Sequence, residues 1–188
     1  IWVGQRTDTM GSLISVPIYV RYCTGPADTK GPRPITSFSI PIQYDSGAVS
    51  IVGLDTSGHA SNFTYSWQTY PDTTYMSVIN AKRINRLRGM RAVITASVAQ
   101  QGDSLRPTVH SNDGQRCRIT DRSDFQVIFS VLFRVNADLD ADPLSKRTPV
   151  IIRNDSLSYN GVPVLDTAWV EGGNGGVSMF AGLDGVDN

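Results

Sequence analysis

The stretch DFQVIFSVLFRV (Asp124–Val135) is almost unbroken in apolar residues. Val, Ile and Phe dominate it, the types that suit a pleated, buried surface. It is far too short to cross a bilayer as a helix, so it reads as a central strand covered on both faces. A strand of that kind needs neighbours, and the sequence supplies them on either side.

SLISVPIYVRY (Ser12–Tyr22) alternates, with Ile14, Val16, Ile18 and Val20 on one side and Leu13, Ser15, Pro17 and Tyr19 on the other. One face is wholly aliphatic, which is the pattern of a half-buried strand. Pro17 removes a ladder donor and points to an edge or a bulge. ITSFSIPIQY (Ile35–Tyr44) sets Phe38, Ile40 and Ile42 against Ile35, Ser37 and Ser39. GAVSIVGLD (Gly47–Asp55), RAVITASVA (Arg91–Ala99), PVIIRND, SLSYNGVPV and DTAWVEG are further candidates. Asn160-Gly161, between Tyr159 and Val162, is the strongest hairpin turn in the chain. SGHASNFTYSWQTYPD (Ser57–Asp72) reads as an exposed polar and aromatic loop, and the glycine-rich tail from Glu171 as a loop or frayed end.

One segment departs from this pattern. DTTYMSVINAKRINRL places Tyr75, Met76, Ile79, Arg83 and Leu87 at helical spacing. Asp72 or Thr73 can cap its start and Gly89 can stop it, so a short helix is expected near 73–88. The fold class expected is therefore mainly β, an antiparallel β-sandwich of jelly-roll type with that one helix. CTGPADTKGPRP (Cys23–Pro34) is the best internal boundary. It separates an N-terminal strand or arm and linker (1–26) from a sandwich domain (35–188).

Among the 188 residues, Lys plus Arg equals Asp plus Glu at 17 each. A neutral balance argues against a dedicated nucleic-acid or membrane-surface protein. No apolar run approaches the roughly 18 residues of a membrane-spanning helix, so no membrane span is expected. The chain opens on IWVGQRTDTMGS without a Met or a signal peptide, which suggests excision from a longer precursor. Cys23 and Cys117 are expected to be buried thiols rather than a bridge.

Sites for chemistry are sparse. Asp55-Thr56-Ser57-Gly58 carries one residue too many for an aspartic-protease turn and has no second copy, so it reads as a polar turn. Asp55, Ser57 and His59 are neighbours in sequence, which is not triad geometry. EGGNGGVS lacks the Lys and hydroxyl ending of a phosphate loop. Cys23, His59, His110 and Cys117 are too scattered for zinc. Asp138, Asp140 and Asp142 could offer oxygens to calcium, although the glycine and glutamate of an EF-hand loop are absent. No catalytic site and no cofactor is expected beyond that calcium option. Arg83, Arg86, Arg88 and Arg91 are candidates for a charged outer face, a subunit contact or, less favoured, RNA phosphate. Tyr65, Trp67 and Tyr70 are candidates for a receptor- or glycan-binding loop.

Two stretches carry a resemblance. LRGMRAVITASVAQQGDSL (Leu87–Leu105) is similar to the helix-to-strand junction of jelly-roll capsid proteins from small icosahedral RNA viruses. GSLISVPIYVRYCTGP (Gly11–Pro26) resembles the strand and Pro-containing linker that close such a shell. The resemblance implies a structural virion protein, either shell or protruding domain. Its partners would be copies of itself, other capsid proteins and a host receptor. The alternative is a carbohydrate- or ligand-binding β-sandwich module, extracellular rather than virion-borne, with Trp67 or Trp169 as a stacking platform.

Overall fold

The structure is a computed structural model that describes residues 2–3, 6–8, 11–24, 34–72, 89–111, 125–136, 147–152, 158–159, 162–163 and 175–178. Its strands are β1 (Trp2–Val3), β2 (Arg6–Thr7), β3 (Leu13–Val20), β4 (Tyr22–Thr24), β5 (Ser37–Asp45), β6 (Val49–Asp55) and β7 (Phe63–Pro71). There follow β8 (Gly89–Val98), β9 (Val109–Ser111), β10 (Gln126–Val135), β11 (Arg147–Ile152), β12 (Ser158–Tyr159), β13 (Val162–Pro163) and β14 (Gly175–Ser178). They form two main sheets packed as a sandwich, with antiparallel pairing throughout their long strands.

The first sheet runs β1-β3-β10-β6. The apolar stretch of the sequence becomes β10, central as expected, paired with β3 on one side and β6 on the other. Its inward residues Phe129, Val131, Phe133 and Val135 are fully buried. Its other face is not wholly covered, for Arg134 is exposed there. The second sheet has β5 at its centre, with β8 and then β7 on one side and β11 and β12 on the other. The turn at 45–48 carries the chain from β5 to β6 and so from one sheet to the other; the Asp45 carboxylate accepts the Gly47 N–H at 2.8 Å.

Two prolines inside strands are explained by register. The Val135 N–H donates to the Ser12 carbonyl, so the even-numbered residues of β3 bond β10. The nitrogen of Pro17 faces the opposite side, where β1 pairs only with Ile18 and Tyr19. Likewise the Val98 N–H donates to the Thr36 carbonyl, which turns the nitrogen of Pro41 away from β8. There β12 pairs with Phe38 and Ser39, and β11 with Ile42 and Gln43. Pro41 falls in the gap between them, where no donor is required.

The core lies between the sheets. Phe38 of β5 stacks on Phe129 of β10 at 5.8 Å and on Phe63 of β7 at 5.5 Å. Tyr44 meets Phe133 edge-on at 5.6 Å. Ile14, Val16, Ile18, Ile40, Ile42 and Ile94 fill the remainder, matching the aliphatic faces read from alternation. Burial of each such side chain contributes about 1.5–3 kcal/mol.

Three expectations change or lie elsewhere. The segment from Phe63 to Pro71 is a nine-residue strand, not a loop. Part of the glycine-rich tail, Gly175–Ser178, pairs with β11 as a strand. The expected helix at 73–88 lies outside the described residues, as do Cys117, Trp169 and the calcium candidates Asp138, Asp140 and Asp142. Tyr159 pairs with Val162 as the Asn-Gly turn requires.

Candidate functional site

The β7–β8 hairpin and β5 build the most distinctive surface among the described residues. Register places Phe63, Tyr65 and Trp67 opposite Val98, Ala96 and Ile94, on the core side of the sheet. Thr64, Ser66 and Gln68 lie opposite Ser97, Thr95 and Val93, which in turn oppose Ser37, Ser39 and Pro41. The outer face thus carries three rows of three side chains without one ionisable group. Thr64, Ser66, Gln68, Thr95 and Ser97 are exposed. The hydroxyls of Ser66 and Thr95 share a hydrogen bond of 2.8 Å across the strands. Tyr70, 46% exposed, closes the face, and its hydroxyl donates to the Gln68 side chain.

Past Val93 the character of the face changes. Asp72, at the end of β7, is buried at 5% exposure. Its carboxylate accepts the Gln43 side-chain amide at 2.5 Å and the Arg91 Nε–H at 3.2 Å. The Asp72 N–H also donates to the Gly89 carbonyl at 2.8 Å. A buried carboxylate needs such partners, and here they tie β5, β7 and β8 together at one corner.

Among the described residues the candidates do not form one cluster. Arg83, Arg86 and Arg88 lie outside the described residues. Arg91 is engaged with Asp72. Tyr65 is half-buried between the sheets, meets Phe129 edge-on at 5.5 Å and donates its hydroxyl to the Ala60 carbonyl at 2.9 Å. Burial pushes its phenol well above the ordinary tyrosine range. Trp67 is 41% exposed, but on the side of the strand opposite Tyr70. The two rings therefore form no common stacking platform.

The turn after β6 has no triad geometry. The Asp55 carboxylate accepts the Ser57 N–H at 3.0 Å, and hydrogen bonds from Ser57 hold Asp55 below the usual carboxylate range. In a triad the carboxylate would orient the histidine; His59 is exposed, its backbone N–H bonded to the Val127 carbonyl at 2.8 Å. The hydroxyl rows were visible in the sequence as the second phase of two alternating strands, at Ser37 and Ser39 and at Thr95 and Ser97. Ser66 and Gln68 were not, because Tyr70 breaks the alternation of β7 and no apolar face marks it as a strand.

No family model matches the chain, and no curated protein sequence matches it. Solved structures do. The solution structure of CaCohA2 from Clostridium acetobutylicum aligns with 94% of this chain and 87% of that chain at 12% identity and a TM-score of 0.51. CaCohA2 in a CaDoc0917–CaCohA2 complex aligns with 95% of this chain and 97% of that chain at 11% identity and a TM-score of 0.53. The third cohesin of ScaC, in complex with the ScaB dockerin from Acetivibrio cellulolyticus, aligns over 96% and 97% at 18% identity with a TM-score of 0.48.

The neighbours are cohesin modules, and at these identities the likeness is one of fold: a cohesin-like β-sandwich. It overturns the resemblance to virus capsid proteins, and with it the virion location, the capsid partners and the host receptor. The physical reason is plain. The two stretches that carried the resemblance contain β3 and β8, each a strand with one apolar face. Any two-sheet sandwich needs such strands.

Proposed function

We propose that this chain is a non-enzymatic docking module that binds a protein partner on the outer face of β5, β8 and β7. The observation that carries the reading is the uncharged, hydroxyl-rich surface from Ser37 and Ser39 through Thr95 and Ser97 to Thr64, Ser66 and Gln68. Desolvating such a face avoids the penalty of stripping water from charges. Ser and Tyr side chains supply adaptable hydrogen bonds and flat contact area, as they do in antibody-type surfaces. The fold likeness supports the reading, because CaCohA2, which aligns with 95% of this chain, is seen in complex with a second protein. By that analogy the first partners to try are dockerin modules.

The test is calorimetric titration of the chain with a panel of dockerin modules. A Ser66→Arg, Thr95→Arg double variant places two unpaired charges mid-face and is expected to weaken binding at least tenfold. Ser15→Arg, on the outer side of the other sheet, is expected to leave it unchanged. Equal affinity of the double variant and the parent chain would remove this face from the binding surface.

A further inference from the structure

The edge of β7 that no described strand pairs carries a separate property, independent of what docks on the sheet face. Among the described residues β7 pairs with β8 alone. Its hydrogen-bond phase follows from the strand ends. The Asp72 N–H donates to Gly89, and the Ala99 N–H donates to the Asn62 carbonyl. Both pairs lie in the β7–β8 register, so the even-numbered residues of β7 spend their backbone groups on β8. The backbone N–H and C=O of Tyr65, Trp67 and Thr69 consequently point outward along the edge. Phe63 is already used at its N–H by the Ala60 carbonyl, at 3.1 Å, and Pro71 has no N–H. The edge therefore offers three consecutive donor–acceptor residues, bounded at both ends.

Natural edges are usually guarded by charge, a bulge, an internal proline or short length. β7 is nine residues long, its register is unshifted, it has no charged residue, and its only proline is the last residue. Both sides of the strand from Ser66 to Pro71 are exposed.

We infer that the edge of β7 pairs antiparallel with the same edge of a second copy of this chain, about a two-fold axis at Trp67. The strand fits itself. With Trp67 opposite its own copy, Tyr65 falls opposite Thr69. In this register each of the three residues both donates and accepts, giving six backbone hydrogen bonds. Ser66 falls opposite Gln68 on the outer face, a polar pair, and the two Trp67 rings meet as a cross-strand aromatic pair. No like charges oppose one another. The contact is isologous, so it closes at a dimer rather than running on as a fibre. The β5-β8-β7 sheet would continue as β7-β8-β5 of the second copy.

Sedimentation equilibrium of the full chain tests this, together with amide hydrogen exchange at several protein concentrations. The expected results are a concentration-dependent doubling of mass and rising protection of the Tyr65, Trp67 and Thr69 amides. Trp67→Lys and Trp67→Glu each place like charges on the axis. Each is expected to raise the dimer dissociation constant at least tenfold, and a 1:1 mixture of the two should restore the dimer. Trp67 is an exposed edge residue, and circular dichroism will show whether each variant keeps its strands. Three results would overturn the proposal: an unmodified chain that stays monomeric at its highest soluble concentration, exchange at those amides that ignores concentration, or a Trp67→Lys dimer as tight as the original.

Discussion

Gly58 shows how a single residue decides a local geometry. A methyl group at its Cα would lie 2.6 Å from the carbonyl oxygens of Val127 and Ile128. Those are backbone atoms, and they sit where β10 is bulged between Val127 and Phe129. The close approach lets the His59 and Ala60 N–H groups bond the same two carbonyls, at 2.8 and 3.3 Å. Gly58→Ala forces these apart, and overpacking of this kind costs about 1–3 kcal/mol. Urea unfolding of the variant should show a lower midpoint with an unchanged slope. Nothing in Asp55-Thr56-Ser57-Gly58 announced this role. The sequence motif reads as a turn, and the reason for glycine lies in a strand some seventy residues away.

Among the elements, β7 was the hardest to read and β10 the easiest. FTYSWQTYP alternates aromatic and polar residues, but Tyr70 breaks the phase, so no single apolar face stands out. β3, β5 and β8 each show an aliphatic face in sequence because a second sheet covers it. β14 was hidden by its glycines, which pack no side chain and signal a loop. At the corner where β7 ends, Asp72 holds Gln43 and Arg91. Asp72→Ala leaves the buried Gln43 amide without that acceptor and deprives Arg91 of its ion pair. Arg91 keeps partial access to water, so a cost of about 1–3 kcal/mol is expected. Hydrogen exchange should locate the loss at the Asp72–Gly89 end of the hairpin. Asp72→Asn, which keeps an oxygen for Gln43, should cost less. The sequence suggests Asp72 or Thr73 as a helix cap, and that helix lies outside the described residues; within them the Asp72 carboxylate holds Gln43 and Arg91 of the sheet.

At the scale of the whole molecule, two phenols among the described residues, Tyr44 and Tyr65, sit between the sheets. Burial raises the ionisation points of both Tyr44 and Tyr65 above the ordinary value. The folded state therefore holds these protons more tightly than the unfolded chain. Their contribution to stability is complete below the ordinary tyrosine value near 10 and declines as the pH rises through the shifted values. Thermal unfolding followed from pH 8 to pH 11 should show a fall in midpoint above about pH 10, and Tyr65→Phe should flatten it. Class and core were legible in the sequence because periodicity records which side of a strand is buried. Sheet order and the partner of each edge were not, because pairing joins residues far apart in the chain. Function was not legible for a related reason: β3 and β8 carry the alternation common to any two-sheet sandwich, which does not distinguish one family from another.

The pairing of β3 with β10 has a bearing on synthesis. Leu13 meets Arg134, and Ile14 meets Phe133. A ribosome adding roughly 5–20 residues per second needs about 6–24 s to travel from one to the other. Throughout that interval β3 waits without the strand that will pair with its backbone. Pro17 removes a donor only from the edge that later meets β1, so the edge that awaits β10 keeps the N–H groups of Ile14, Val16 and Ile18 unguarded until β10 emerges.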